Sequence, residues 1–246
     1  MASAAGERHL DWEGVFNARD LGGLETADGR RIARGALVRS DSLSRLTAAG
    51  WQALLDHGVR TILDLRNARE REEAPDAAPR PAEVRTVHAP LDGSQDTAFW
   101  KPIEATPEFG TPLYYRAHLM RKPQMAAGAV KAIVAAAPGG VAFHCVGGRD
   151  RSGELAMVVL ALLGVPPEAI AADYALSADR LVGLWTAIGE PDQAPALEAF
   201  LAERGTSAAE VIETTLASLD LPATLAAGGL SGEDVEALRA RLLEPQ

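Results

Sequence analysis

The segment His144 to Gly153, HCVGGRDRSG, constrains the fold more than any other part of this chain. It follows a short apolar run, GVAFH (140–144), and precedes a longer one that extends from Leu155 to Leu163. The first run has the length of a buried strand, and the second has the length of a core helix. A strand, a loop that contains glycine and a helix, in that order, predict an α/β unit in which the loop joins the strand to the helix.

Similar segments occur on both sides of this unit and predict a sheet. Apolar runs predict strands over 36–39, 59–65 and 84–91, and helical spacing predicts helices over 47–57, 124–137 and 152–163. The interpretation is an α/β fold with a central, mostly parallel sheet flanked by helices. Ala- and Leu-rich segments predict a helical C-terminal region, over 168–188, 194–204, 207–218 and 232–243. We expect one domain over 1–246, with a core at about 15–176 and a helical extension or lid at about 177–246.

The charge of the chain is unevenly distributed. Of the net charge of −10, residues 190–246 contribute −8, from 11 acidic and 3 basic residues. A balanced remainder has no general attraction for nucleic acid or anionic membranes, so any anion site must be local. No apolar run approaches the roughly 18 to 20 residues of a membrane span, and the N-terminus lacks the apolar centre of a signal peptide. These features predict a cytoplasmic protein.

The loop after the predicted strand at 140–144 has the composition of an anion site. Gly147 and Gly148 allow the backbone to curl, and Ser152 is expected to cap the following helix. Backbone amides at a helix start attract a phosphate or sulfate and favour a thiolate at Cys145. The planar guanidinium of Arg151 can hold two phosphoryl oxygens. The residues together suit nucleophilic attack on a bound phosphorus atom.

The arrangement of His144, Cys145, Arg151, Ser152 and Gly153 resembles the signature loop of the protein tyrosine phosphatase superfamily. Three further motifs resemble the bacterial and fungal tyrosine phosphatases, some of which also accept phosphoserine, phosphothreonine or phosphoinositides. They are NARDLGG (17–23), LVRSDSLSRL (37–46) and TILDLRNARERE (61–72). The resemblance extends over about residues 15–176. It implies a tyrosine phosphatase-like fold and a phosphotyrosine protein or peptide substrate, with a phosphoinositide as the alternative. No cofactor is expected, and because His88 and His118 lack the spacing of metal ligands, no metal site is predicted.

The resemblance also implies roles for individual residues. Cys145 forms a phosphocysteine intermediate, Arg151 stabilises it, His144 tunes the thiolate and Ser152 helps the thiolate to leave. Arg149 stands where family members commonly have a lysine, so specificity for a second phosphate stays open. The phosphate-binding set implied is Val146, Gly147, Gly148, Arg149, Asp150 and Arg151.

Three aspartates are candidates for the acid that protonates the leaving group. Asp150 lies inside the loop and resembles the aspartate proposed as the acid in the subfamily; alternatively, it positions a neighbouring arginine. Asp92 follows the predicted strand at 84–91 and is the alternative acid. Asp64 alternates with Arg66 on a strand, and a buried salt bridge is the simpler interpretation of that pair.

Several alternatives stay open from the residues alone. Arg19, Asp20 and Arg39 either tie a hairpin together or line the pocket. Aromatic residues between 99 and 115 form either an aryl-binding wall or a core beneath a loop, and the acidic C-terminal region is either a solvated surface or a lid. Two other functions fit a cysteine loop of this kind, a sulfurtransferase and a non-catalytic phosphate-binding module. The pattern does not predict an oligomeric state.

Overall fold

The computed structural model describes residues 8–245, and a five-stranded sheet lies at the centre of this part of the chain. The strand order is β1-β2-β5-β3-β4, and every neighbouring pair is parallel except β1 and β2. The predicted α/β fold with a mostly parallel sheet is therefore confirmed. The strands are β1 (Arg19–Asp20), β2 (Leu37–Ser40), β3 (Val59–Asp64), β4 (Arg85–His88) and β5 (Gly140–His144).

Helices connect these strands and make up the C-terminal part of the described chain. The first six are α1 (Ala48–Asp56), α2 (Ala68–Glu73), α3 (Thr97–Glu104), α4 (Tyr115–Arg121), α5 (Pro123–Val134) and α6 (Asp150–Leu163). The next five are α7 (Pro167–Ile188), α8 (Ala194–Ala202), α9 (Ala208–Ser218), α10 (Leu221–Ala227) and α11 (Gly232–Leu242).

Alternate residues of the strands face two separate hydrophobic clusters. Val141 and Phe143 of β5 belong to the cluster that contains α5 and α6, whereas Ala142 packs with Trp51 of α1 on the other side. Since side chains alternate across a strand, the sheet is covered on both faces, as parallel sheets are. Burial of each large side chain contributes roughly 1.5–3 kcal/mol, which fixes β5 in the middle of the protein.

This central position places the loop after β5 at the carboxyl edge of the sheet. His144 pairs with Ser40 of β2 on one side and with Asp64 of β3 on the other. The segments that follow all three strands therefore meet around Cys145. In open α/β sheets ligands bind at this edge, so the fold itself directs the search for a site to this loop.

One local prediction needs correction. Helix α6 begins at Asp150 with Arg149 at the N-cap position, so Ser152 is the third helical residue and not the cap. Between β4 and α5 the chain forms α3 and α4, and Trp100, Tyr114 and Tyr115 in this segment are buried.

The C-terminal helices share the core of the sheet domain. α9 packs against α7, while α10 and α11 pack against α5. Their leucines at 221, 225, 238 and 242 are buried in the same cluster as the β5 side chains. None of the helices formed by residues 8–245 combines the length and the apolar character that crossing a bilayer requires.

Candidate functional site

Five consecutive carbonyl groups of the loop, those of residues 146–150, bind donors that lie outside the loop. Because N–H and C=O point in opposite directions in a trans peptide, the following amides are directed toward the concave side of the loop. The donors are Ser42 N to Val146 O (3.0 Å), Asn17 Nδ2 to Gly147 O (3.1 Å), Arg39 Nε to Gly148 O (3.0 Å), Arg39 Nη2 to Arg149 O (2.9 Å) and Tyr115 Oη to Asp150 O (2.7 Å).

Cys145 lies at the base of this concave loop, directly after β5, and is 3% exposed. The amide of Gly148 donates to its Sγ at 3.3 Å. Helix α6 begins five residues after Cys145, and the amides of its first turn have no partner within the helix. The Sγ of Cys145 therefore accepts from a backbone amide beside the positive end of a helix.

Gly148 is required by the loop, whereas Gly147 is not. Gly148 has φ +71°, and a Cβ atom there would lie 2.6 Å from the backbone of Ser40 and Asp41. A Cβ at Gly147 would meet nothing closer than a methyl group of Leu181 at 3.8 Å. Of the two glycines predicted to let the backbone curl, only Gly148 is needed on steric grounds.

Arg151 approaches two carboxylates with its guanidinium. Glu70 accepts from Nη1 at 2.5 Å and from Nη2 at 2.6 Å, and Asp92 Oδ2 lies 3.2 Å from Nη1. Burial favours a higher pKa for Glu70, but the hydrogen bonds and the charge of Arg151 outweigh it, so the Glu70 pKa is lowered. Glu70 is thus an anion that holds the planar end of Arg151 in one orientation.

Sequence reasoning did not identify Glu70, although a signal for it is present. Asn67 followed three residues later by Glu70 is a capping-box pattern at the start of α2. Both hydrogen bonds of that box form, Glu70 N to Asn67 Oδ1 at 3.0 Å and Asn67 N to Glu70 Oε2 at 2.9 Å. The box fixes Glu70 at the end of α2 that faces Arg151.

The three candidate acids have different partners. Asp150 Oδ1 accepts from Arg149 Nε at 3.1 Å, which is the positioning role considered above. Asp92 contacts Arg151 through Oδ2, and its buried Oδ1 has no partner among the described residues. Asp64 and Arg66 form a buried salt bridge at 2.9 Å, as the simpler interpretation predicts.

His144 is buried at the end of β5, next to Cys145. Its Nδ1 lies 3.0 Å from the carbonyl oxygen of Cys145, and its Nε2 lies 3.8 Å from Asp64 Oδ1. Burial lowers the pKa of His144 to about 4, and the negative charge of Asp64 offsets this only in part. Near neutral pH, His144 therefore acts on Cys145 through packing and hydrogen bonding, since it carries no charge.

Ser152 and Arg149 differ in how much their side chains are engaged. The hydroxyl of Ser152 is buried without a hydrogen-bond partner among residues 8–245. The guanidinium of Arg149 binds Asp150 and also donates to Gln193 Oε1 at 3.2 Å, just before α8. Arg149 faces a cavity of about 410 Å³ between α7, α8 and α9, and Leu181, Trp185 and Leu197 line the same cavity.

The aromatic residues between 99 and 115 are mainly core. Trp100 (4% exposed), Tyr114 (2%) and Tyr115 (0%) pack edge to face in a connected cluster, while Phe109 is 45% exposed. Of the two interpretations of this set, the core is correct for Trp100, Tyr114 and Tyr115.

Arg19 and Arg39 lie opposite each other in the antiparallel pair of β1 and β2, and the side chains of Arg19, Asp20 and Arg39 are all buried. Asp20 accepts from the amides of Gly22 and Gly35 and shapes the turn around β1. Arg19 and Arg39 are both buried, and both bind Asp173 of α7. Among residues 8–245, no group of three or more His, Cys, Asp or Glu side chains could hold a metal ion.

Comparison with known proteins agrees with this geometry. Residues 10–244 match the family model described as the tyrosine phosphatase family. A tyrosine-protein phosphatase of Cupriavidus necator is 34% identical over 187 residues, which cover 73% of this chain and 66% of that protein. A tyrosine-protein phosphatase of Nostoc commune is 34% identical over 152 residues, which cover 62% of this chain and 51% of that protein.

A third relative is the triple specificity protein phosphatase of Mycobacterium tuberculosis. It is 29% identical over 203 residues, which cover 72% of both chains. The match to the family model covers the loop after β5, the preceding strands and all of the C-terminal helices.

Proposed function

This chain belongs to the tyrosine phosphatase family, and from that premise we propose that it is a cysteine-dependent phosphatase acting on phosphotyrosine in proteins or peptides. Phosphoserine and phosphothreonine are further substrates in this proposal. One observation carries it: Cys145 accepts from Gly148 N–H at the base of a loop whose five carbonyls, 146–150, are bound from outside. The loop offers its amides to a tetrahedral dianion beside a sulfur nucleophile.

The first step of the proposed reaction transfers the phosphoryl group to sulfur. The Cys145 thiolate attacks phosphorus, an S–P bond forms, and the P–O bond to the leaving group breaks. Loop amides and the Arg151 guanidinium hold the equatorial oxygens as charge develops on them. Asp150 donates a proton to the departing oxygen, and Asp92 is the alternative donor.

The second step hydrolyses the phosphocysteine. A water molecule attacks phosphorus, the carboxylate that donated its proton takes one from the water, and the S–P bond breaks. The buried hydroxyl of Ser152 is available to donate to the departing sulfur, which lowers the cost of expelling a thiolate. Inorganic phosphate leaves, and the thiolate is restored.

The direct test compares the wild type with Cys145→Ser on an aryl phosphate and on a phosphotyrosine peptide. We expect turnover to fall by roughly 10⁵-fold, because a serine hydroxyl is not ionised by the loop. Trapping a phosphorylated wild-type cysteine by rapid quench supports the mechanism. Wild-type turnover that survives in Cys145→Ser would exclude it.

The identity of the acid is tested by leaving-group dependence. Asp150→Asn should slow hydrolysis of an alkyl or unactivated aryl phosphate by roughly 10²–10⁴-fold and affect an activated aryl phosphate far less. Asp92→Asn is the matched comparison, since Asp92 is the other carboxylate proposed as the acid. If only Asp92→Asn shows the leaving-group dependence, the proton comes from Asp92.

The substrate class is best separated by a panel. We propose testing phosphotyrosine, phosphoserine and phosphothreonine peptides beside phosphoinositides, because one relative is named as a triple specificity protein phosphatase. Transfer of sulfur from thiosulfate to cyanide would instead indicate a sulfurtransferase. Phosphopeptide binding without turnover would indicate a phosphate-binding module. A cytoplasmic location is part of the same proposal.

A lid role for part of residues 177–246 also belongs to this proposal. Helix α8 lies close to Arg149 through Gln193, which supports a lid that is limited to α8. Gln193→Ala removes this contact without disturbing the buried leucines of α10 and α11. A change in KM for a peptide but not for a small aryl phosphate is expected. Equal values for both substrates would argue against a lid.

A further inference from the structure

Asp173 of helix α7 binds three arginines behind the Cys145 loop. Arg8 Nη1 and Arg19 Nε lie 2.9 and 3.1 Å from Oδ1, and Arg39 Nη1 lies 2.9 Å from Oδ2. The four side chains are between 0 and 8% exposed. Burial and repulsion from Arg39 lower the pKa of Arg19 to about 10, which still leaves it charged at neutral pH. This back cluster, Arg8, Arg19, Arg39 and Asp173, therefore holds two positive charges in excess.

Buried excess charge is costly unless a counter-charge lies close by. The position of Arg39 indicates that this counter-charge lies in the loop after β5. Arg39 stands on β2 opposite Phe143 of β5, two residues before the nucleophile, and its guanidinium reaches the carbonyls of Gly148 and Arg149. The charge is thus directed toward the loop and not toward solvent.

The two peptide groups that Arg39 binds end in the amides of Arg149 and Asp150. A guanidinium on the carbonyl end of a peptide group polarises it and makes its N–H a stronger donor. Arg149 is the N-cap and Asp150 the first residue of α6, so neither amide has an acceptor within the helix. By contrast, the carbonyls of Gly147 and Asp150 are bound by the neutral donors Asn17 and Tyr115.

We propose that Arg39 is a positioning residue that orients and polarises the Arg149 and Asp150 amides toward the anion site. The reactivity of the Cys145 thiolate and the affinity of the loop for a phosphate dianion then depend on a guanidinium that touches neither of them. The inference rests on the proposed function, because the negative charges that balance the back cluster are those of the Cys145 thiolate and the bound phosphate dianion.

Arg39→Lys and Arg39→Met test this inference, with Arg60→Met as the matched control. Arg60 also binds two carbonyls, those of Leu55 and Val59, but at the opposite end of the sheet. The measurement is the pH dependence of Cys145 alkylation by iodoacetate, with inorganic phosphate as protecting anion. Neither alkylation nor phosphate protection requires turnover. If the proposed function is wrong, the wild type will not hydrolyse an aryl phosphate, and this result is independent of both measurements.

We expect Arg39→Met to slow Cys145 alkylation near neutral pH about tenfold and to weaken phosphate protection about tenfold. Arg39→Lys should lie between this variant and the wild type, because it keeps the charge but loses the two-point grip. Arg60→Met should match the wild type in both measurements. Folded Arg39 variants with wild-type alkylation and protection would overturn the proposal. Failure of both variants to fold, judged by near-UV circular dichroism, would also overturn it by assigning Arg39 to folding alone.

Discussion

Arginines lie on both sides of the Cys145 loop, and the two sides have opposite charge balance. Behind the loop, the back cluster combines three arginines with one carboxylate and is almost fully buried. In front of it, Arg151 faces two carboxylates, Glu70 and Asp92, and these three side chains are 12 to 26% exposed. We refer to Arg151, Glu70 and Asp92 as the front cluster.

This difference in burial separates two functions. The charges of the back cluster stay in fixed pairs, whereas Arg151 in the front cluster can change its partner. The back cluster cannot reach solvent, so its charges are fixed when the chain folds and act on the loop through peptide groups. The front cluster can exchange partners in the proposed reaction, in which a dianion in the loop competes with Glu70 and Asp92 for the same guanidinium. Burial and the number of partners, more than residue type, decide which of the two functions an arginine has here.

The largest effect is expected from the only carboxylate of the back cluster. Asp173→Asn leaves three buried guanidinium groups without an anion and should lower the free energy of unfolding by roughly 3–5 kcal/mol. Chemical denaturation would measure this, with Asp179→Asn, an exposed position on the same helix, as the control. A loss below about 1 kcal/mol would mean that the back cluster is not a permanent structural charge.

A smaller change in stability is expected from His144, which tests whether this buried side chain stays uncharged as the pH falls. The His144 pKa is about 4 in the folded protein, against about 6.5 in an unfolded chain. As the pH falls, the unfolded chain binds this proton first, so stability is lost between about pH 6.5 and about pH 4. Between pH 7 and pH 4, the wild type should lose roughly 3 kcal/mol more than His144→Gln. Parallel losses in denaturation curves would show that His144 does not stay neutral.

The smallest change in stability is expected in the front cluster. Glu70→Gln should alter the free energy of unfolding by only about 1 kcal/mol, because the pair is partly solvated. We expect kcat to fall about tenfold as Arg151 loses its two-point partner. Inhibition by orthovanadate should strengthen a few-fold, because a competing negative charge is gone. The neighbouring exposed Glu72→Gln serves as the control. Weaker vanadate inhibition in Glu70→Gln would refute the idea of exchange.

The sheet, the helix that follows Cys145 and the position of the loop could be predicted from sequence because each depends on local pattern. The run GVAFH has the length of a strand, and the apolar positions after Gly153 have the period of a helix. Cys145, Gly148 and Arg151 lie within a few residues of each other, so their positions in the loop can be predicted from their separation in the sequence. The cap predicted at Ser152 is wrong because α6 begins two residues earlier, at Asp150, and its N-cap residue Arg149 makes no side-chain capping bond.

The supports of the loop could not be predicted, because they depend on long-range packing. Arg39 and Asp173 are 134 residues apart, and Arg151 and Glu70 are 81 apart. The motif around Arg39 is visible in the sequence, but nothing in its spacing identifies a partner on a helix that follows the loop. Glu70 was predictable as a capping residue and not as a partner of Arg151. The burial of Trp100 and Tyr114 depends likewise on the fold of a segment whose composition resembles a loop.

The outward-bound carbonyls have a consequence for folding and for redox chemistry. Each depends on a segment far away in the chain, at Asn17, Arg39, Ser42 or Tyr115, so the loop acquires its shape only after these segments have packed around it. In a nascent or partly unfolded chain, Cys145 therefore lacks the amide donor of Gly148 and the surrounding loop. Sensitivity of Cys145 to peroxide should appear with the last contacts to form and disappear with the first to break.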